Sequence, residues 1–518
     1  MKKLMNFLLV LLMISGLFSC SSSKTSENDS DILPDSDSDD IETVADDDKD
    51  SDEDLDFIED SCGDSDEKTD DEYMEEPDLS NSFSDYHKEF PDEPLFKNPP
   101  SVFDLYARCY EEIPDDPYDG FFANPHIESE VKRSLGYEQN YELKEEDLEK
   151  VTELSVYSQD LRGIEKLVNL KRIQISGENV YDFTLLSGLT KLKEMKIDGE
   201  NIDCLDGSFA LLTNLETVEI RETKLKDVSP VEQLVNLASL DLDKNQIEFL
   251  PENISNLQKL EYLTFSYNNV QDIEAIESLT NLERLGFTHN QIENIWPIRN
   301  MTKLIVINFS NNNIADISAV ENFTELESLV ANNNKIEMLP DFQRLGKLQR
   351  IYLSFNNISD LPNLKGLDSL DEMWLSNNTL NDDDLMKFDD LESIRFLDIA
   401  LNKITKVPVM KNLKSLKELY LNYNSITDLS GFVDNESFPA LKRLDVGSNN
   451  IENLEAFKNR KGLSSLWVDR NCIKDFSPLE ELKERGTYIG GMNEQLESCE
   501  DTTTILQSRS LQRQTLCR

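Results

Sequence analysis

"LQRIYLSFNNI", residues 348–358, is followed by "LDEMWLSNNTL", residues 370–380. Leu348, Ile351, Leu353, Asn356 and Ile358 of the first stretch return as Leu370, Met373, Leu375, Asn378 and Leu380, each 22 residues on. The alternation Ile351-x-Leu353 reads as a short strand that turns both apolar side chains to one face. A strand of that length buries too little to hold alone. The same residues at a fixed period mark stacked coils, each burying its apolar face on its neighbours.

The asparagine extends the pattern in both directions. It recurs at Asn245, Asn268, Asn290, Asn312, Asn334, Asn356, Asn378, Asn402, Asn424, Asn449 and Asn471, and seven of the ten intervals are 22 residues. A buried Asn can both donate to and accept from the backbone where the chain bends, so a stacked column of them satisfies groups that a turn would orphan. Upstream, "LKRIQISGENV", "LKEMKIDGENI" and "LETVEIRETKL" keep the apolar ladder but place Glu178, Glu200 and Thr223 where Asn is expected. About fifteen coils result, less regular at the amino-terminal end.

The pattern L-x-x-L-x-L-x-x-N-x-I resembles leucine-rich repeats of the 22-residue class found in bacterial internalin-like surface proteins and eukaryotic phosphatase-regulator proteins. The resemblance covers roughly residues 120–490. It implies an α/β repeat solenoid: a leucine-rich repeat arc with a parallel sheet on its concave side and 3₁₀ or extended segments on its convex side. Before the arc, "HIESEVKRSLG" spaces Ile127, Val131 and Leu135 along one face of a short helix stopped by Gly136, placed to cap the solenoid.

If the leucines face inward, the residues between them face water. The middle position of each L-x-L is polar or charged from Ser155 to Asn308 except at Gly286, and from Tyr352 onward it becomes rich in aromatic rings. Tyr352, Trp374, Tyr420 and Trp467 occupy it, with Phe355, Phe396 and Tyr423 in adjacent slots. Exposed Trp and Tyr with Arg nearby are the residue types that dominate binding energy at protein interfaces. These seven residues are the expected ligand-binding patch; the alternative is that the rings stack across the strands for stability alone. Glu219, Asp241 and Asp243, near Arg221 and Lys244, read as a solvated face of mixed charge.

The chain carries 103 Asp+Glu against 51 Lys+Arg, a net charge of −52, which repels nucleic acid and anionic membrane. Between Glu27 and Asp78 lie 27 acidic residues and two lysines, too charged and too poor in apolar surface to fold. Residues 20–95 are therefore expected to be a disordered acidic tether. Within it, Asp48, Asp50, Asp52, Asp56 and Glu59 match the ligand spacing of an EF-hand-type calcium loop, although Glu53 replaces the glycine its turn requires. Weak calcium binding is the most this supports.

"MKKLMNFLLVLLMISGLFSC", residues 1–20, has a basic start and an apolar run too short to span a bilayer. It resembles a bacterial lipoprotein signal, which implies cleavage after Ser19 and lipidation of Cys20, hence anchorage in the cell envelope, at the outer membrane or cell surface. The organisation expected is a signal over 1–19, the tether over 20–95, a cap region over 96–150, repeats over 151–491 and a tail over 492–518. Export places the six other cysteines where they can pair; Cys499–Cys517 is the most local option, with the connectivity open.

Three histidines, and the absence of any phosphate-cradling glycine loop or paired metal-ligand motif, argue against an enzyme. The function expected is binding of a protein partner through the concave face, by a monomer held to the membrane through its lipid. A structural spacer without a dedicated ligand, or a calcium-responsive tether, are the alternatives.

Overall fold

A computed structural model describes residues 120–499 apart from 123, 178, 181, 182 and 498. Sixteen strands, from Glu153–Val156 to Tyr488–Gly490, form a single parallel sheet whose spatial order is the chain order. Each strand pairs only with the coil before and the coil after. Arg350, Ile351 and Tyr352 lie opposite Glu372, Met373 and Trp374, so residues one repeat apart in sequence are neighbours in space. Between strands the chain returns through short 3₁₀ segments such as Ser229–Gln233, Trp296–Asn300 and Ser318–Asn322. The leucine-rich repeat arc implied by the resemblance is the fold observed, and the strand Tyr488–Gly490 adds one coil beyond the fifteen counted.

Burial follows the pattern position by position. Leu348, Ile351, Leu353, Asn356 and Ile358 are all 6% exposed or less. Where the last leucine of L-x-L is replaced by phenylalanine, the rings stack inside the coil: Phe265, Phe287 and Phe309 follow one another at centroid separations of 5.6 and 5.8 Å.

The asparagines join coil to coil. Asn356 donates from Nδ2 to the carbonyl of Ala331 in the preceding coil (3.0 Å) and of Leu353 in its own (3.0 Å), while its Oδ1 accepts from the Ile336 amide (3.1 Å). Asn378 repeats this with Leu353, Leu375 and Ile358, and the arrangement continues to Asn471. One side chain thus satisfies backbone groups on both sides of each bend.

The two ends depart from the rule in different ways. Thr223 stands at the asparagine place, is buried, and donates its hydroxyl to Asn245 Oδ1. Where Asn is missing, the strands Arg172–Ser176, Glu194–Asp198 and Thr217–Arg221 run five residues instead of the usual three, so the ladder itself occupies the backbone that Asn would otherwise serve. The irregular end anticipated from the sequence is an unbroken part of the sheet. After the last asparagine, Gln495 takes over: Nε2 donates to Val468 (2.9 Å) and Gly491 (2.9 Å) carbonyls, and Oε1 accepts from the Ile473 amide (3.2 Å).

At the amino-terminal end a helix spans Pro125–Ser134, with Asn124 accepting from the His126 amide as its cap and Ile127 and Val131 buried. Gly136, at φ +71°, ends it as expected. At the carboxyl end Cys499 is bonded to Cys472, their Cα atoms 5.6 Å apart, so the local Cys499–Cys517 pairing does not form. Cys472 follows the last asparagine, and the bond ties the closing segment to the last complete coil.

Removing one asparagine leaves several buried backbone groups unpaired in two coils. Asn378→Ala is expected to lower the unfolding free energy by about 2–4 kcal/mol in urea titrations. A loss below roughly 0.5 kcal/mol would mean the column is incidental.

Candidate functional site

The residue before each asparagine decides which side chains the inner wall presents. From Glu222 to Arg470 it has positive φ in every coil, between 48° and 59°. This left-handed conformation suits Asn, which occupies it at Asn311, Asn333 and Asn377. The chain places Tyr267, His289, Phe355, Leu401 and Tyr423 there instead. Bulky side chains in this region carry a backbone penalty of roughly 1 kcal/mol each. The rings of Tyr267 and His289 stack at 4.0 Å, and Arg470 Nη1 reaches two coils back to the Tyr423 hydroxyl (2.8 Å).

In the neighbouring rows the aromatic residues form a continuous file. Tyr352 stacks on Trp374 at 5.9 Å and Trp374 on Phe396 at 4.2 Å, and Phe396 meets Tyr420 at 5.3 Å with the rings tilted by 35°. All four are half-buried, each ring covering the next and leaving part of its surface to solvent. Phe396 belongs to a different row from the other three: Trp374 lies opposite Asp398, which lies opposite Tyr420. Asp398 is short, and Phe396 closes the gap above it, leaving the carboxylate 8% exposed. Each end of the file carries a polar set. The Tyr352 hydroxyl donates to Glu372 (2.8 Å), which Arg350 approaches at 4.0 Å. The Tyr420 hydroxyl donates to Glu418 (3.0 Å), which Arg443 approaches at 3.6 Å. Burial and then the Glu418 charge push the Tyr420 phenol up to about 12, so it stays a donor. The Trp374 indole N–H is buried without a hydrogen-bond partner.

The structure therefore brings Tyr352, Trp374, Phe396 and Tyr420 into one contact series. Phe355 and Tyr423 flank it in the positive-φ column, and Trp467 lies two coils beyond Tyr420, against Tyr488 at 5.9 Å. Cys20 and the residues Asp48, Asp50, Asp52, Asp56 and Glu59 lie outside the described residues. The face of mixed charge expected at Glu219, Asp241 and Asp243 differs from expectation. Asp241 is 2% exposed and takes Arg221 as its ion-pair partner, and Asp243 accepts from Thr264 Oγ1 (2.6 Å) and the Ser266 amide (2.6 Å). A polar cleft of about 460 Å³ between Glu216 and Lys303 lies along the coil edges, apart from the aromatic file.

The carboxylates in the L-x-L row were not identified as a group from the sequence. Each serves its own bend, because Asp241, Asp398 and Asp445 accept from the amide two residues on, at 3.1, 2.9 and 2.8 Å, and so start the turn after the strand. The signal that could have found them is Asp at the middle of L-x-L, a residue with poor strand propensity in a strand slot. Burial raises Asp398 to about 6 and Asp445 to about 7, with Asp469 and Asp398 adding to the latter.

A family model described as leucine-rich repeats in two copies matches residues 302–344, 392–435 and 414–459, and a second leucine-rich repeat model matches 235–292. No curated protein sequence matches the chain. Among solved structures, an internalin of Listeria monocytogenes, InlF, is 26% identical with a TM-score of 0.50, over 71% of this chain and 95% of that one. A leucine-rich repeat protein of Leptospira interrogans is 22% identical at TM-score 0.55, over 67% of this chain and 97% of its own. The plant peptide hormone receptor RGFR1, in complex with RGF2, is 20% identical at TM-score 0.53, over 67% and 64%.

Two measurements test the geometry. Phe355→Asn and Phe355→Ala lose the same ring, but Asn tolerates positive φ, so the Asn variant is expected to be more stable by about 0.5–1 kcal/mol. The second concerns pH. Between about 4 and 7 the folded chain holds protons on Asp398 and Asp445 that the unfolded chain has released, so stability falls as pH rises through this window. Lowering pH from 7.5 to 5.5 is expected to raise the unfolding free energy by about 2–5 kcal/mol, since burial and then the Asp241 charge also raise Asp243 to about 7, and Asp445→Asn to remove about 1–2 kcal/mol of that gain. Residues 235–292, 302–344 and 392–459 thus match leucine-rich repeat models, and the described sheet is similar in fold to a bacterial internalin.

Proposed function

We propose that the chain is an exported, lipid-anchored protein of the 22-residue repeat class that binds another protein through its concave face. The aromatic file and its flanks, Tyr352, Phe355, Trp374, Phe396, Tyr420, Tyr423 and Trp467, are the contact surface. The carrying observation is that the inner wall holds large rings at positions that gain little from them. Phe355 and Tyr423 sit at positive φ, where Asn would cost less, and Trp374 keeps an unpaired indole N–H. Large flat side chains with few rotatable bonds are the usual anchors of protein recognition. A protein ligand also suits a likeness of fold to a peptide hormone receptor, although at 20% identity that likeness extends to the fold alone.

The attachment rests on the first twenty residues. Cys20 is the lipidated residue, and cleavage before it leaves an anchor in the envelope, at the outer membrane or cell surface, with the acidic tether holding the monomeric arc away from the lipid. Cys20→Ala is expected to abolish labelling by a palmitate analogue and release the protein into the aqueous phase; retained labelling would refute the anchor.

A second reading, a spacer without a dedicated ligand, draws on the ring stacking itself, since centroid separations of 4.2–5.9 Å are stabilising in any context. Trp374→Ala and Trp467→Ala separate the two. Recognition predicts that capture of the partner falls about tenfold or more while the melting temperature drops by less than about 4 °C. Unchanged capture with a large loss of melting temperature would favour the spacer.

A further inference from the structure

The inner wall contains two carboxylates set between aromatic rings, and only one of them is covered. Asp398 lies between Trp374 and Tyr420 in the register of the sheet, and Phe396 closes over it. Asp445 lies in the same way between Tyr420 and Trp467. The residue placed to cover it, at the position equivalent to Phe396, is Arg443, which is exposed and turned to Glu418 at 3.6 Å.

The walls of this second gap also lean apart. Tyr420 packs against Phe396, toward the preceding coil, with the two rings tilted by 35°. Trp467 lies over Gly490 in the following coil, where an added Cβ would meet the indole at 2.5 Å, so only glycine admits the ring there. Two strand steps of roughly 4.8 Å separate the rings' strands, more than the roughly 7 Å that a flat group needs between two aromatic faces. At the floor, Asp445 accepts from the Gly447 amide (2.8 Å), and Asp469 reaches into the space above Gly447, where a Cβ would stand 2.5 Å from its Oδ1. Among the described residues neither Asp445 nor Asp469 forms an ion pair. Beside them the Ser448 hydroxyl, in a residue 2% exposed, is buried with no hydrogen-bond partner.

We infer that this gap receives an arginine side chain of the protein partner, its guanidinium entering between Tyr420 and Trp467 and pairing with Asp445 and Asp469. The inference rests on the protein-binding reading above and names the chemistry of one anchor. Arginine suits the space better than lysine: its plane stacks on both rings while its edge presents paired N–H donors to a carboxylate. The net charge of −52 favours the approach of a partner with a basic face.

The test uses the purified chain carrying 5-fluorotryptophan, which gives one ¹⁹F resonance each for Trp296, Trp374 and Trp467, the last assigned by Trp467→Phe. The probes are the capped tripeptide Gly-Arg-Gly and the same peptide with citrulline, equal in shape but uncharged. The arginine peptide is expected to shift the Trp467 resonance saturably and leave that of Trp296 unchanged. Citrulline is expected to bind about fivefold or more weakly. Asp445→Asn keeps the bond to Gly447 while removing the charge, and is expected to weaken arginine binding to the same degree. The groups around Asp445 are Glu418, Tyr420, Arg443, Asp398 and Asp469, and binding to the wild-type chain is expected to be tighter at pH 8, where Asp445 carries its charge, than at pH 6. Equal affinity for the two peptides, no response at Trp467, or full affinity in Asp445→Asn would overturn the inference. Those results leave partner capture through Trp374 to be judged separately, so the failure of the anchor and of the binding reading are distinct.

Discussion

Every feature of the inner wall depends on one bond pattern: an asparagine amide that donates to the carbonyls of its own and the preceding coil and accepts one amide in return. A tight bend in a short coil leaves several backbone groups unable to reach water or a ladder partner. Asn378, 1% exposed, meets three of them at 2.9–3.0 Å. Since each such side chain links two coils, the column also fixes their register, and register fixes which side chains meet on the concave face. Tyr352 lies beside Trp374 because Asn356 and Asn378 hold their coils one repeat apart. Where the asparagine is absent, near the amino end, longer strands do the same work with backbone hydrogen bonds alone.

That bond pattern also explains where the fold tolerates variety. The bend requires a left-handed residue just before each asparagine, and the fold is indifferent to its side chain apart from the conformational cost. Asn311 and Asn333 are the inexpensive solution. Tyr267, Phe355, Leu401 and Tyr423 are not, and their rings and branches project where the solenoid itself has little need of them. A stacked repeat distributes its stability over many similar interfaces, so single coils can carry strain of this kind without threatening the whole. Strain held at a surface while the core is regular is a reason to look for function there.

The spacing of Leu and Asn was enough to read the coil, the order of the coils and the inward face, because every one of these follows from burial with a fixed period. The aromatic row was also legible, as was the capping helix from Ile127, Val131 and Leu135. What could not be read depends on contacts between rows. Phe396 was recognised as a neighbour of the row, but only coordinates show it closing over Asp398. Asp241 resembled a solvated acid because its partner Arg221 lies a coil away, and the depth at which they meet shows only in the coordinates. Gln495 and the Cys472–Cys499 bond close the last coil with residues outside the repeat pattern, so no period announces them.

The pairing of aromatic rings with sunken carboxylates is the last consequence of the same geometry. An Asp in the middle of L-x-L is drawn toward the sheet because its own bend amide attracts it, at 2.8 Å in Asp445 and 2.9 Å in Asp398. The rings on either side are long and stand above it. A wall built this way contains wells, each with a negative floor and π-faced sides, wherever Asp falls between two aromatic coils. Such a well is costly when empty, since burial holds the carboxylate toward its neutral form, and less costly when a flat cation or a ring fills it. The chain fills the well at Asp398 with its own Phe396 and leaves the one at Asp445 open between walls that lean apart. An open, negatively floored well beside a covered one of the same construction is a difference that packing alone does not require, and it gives the carboxyl-terminal half of the arc a chemical preference that its leucines do not supply.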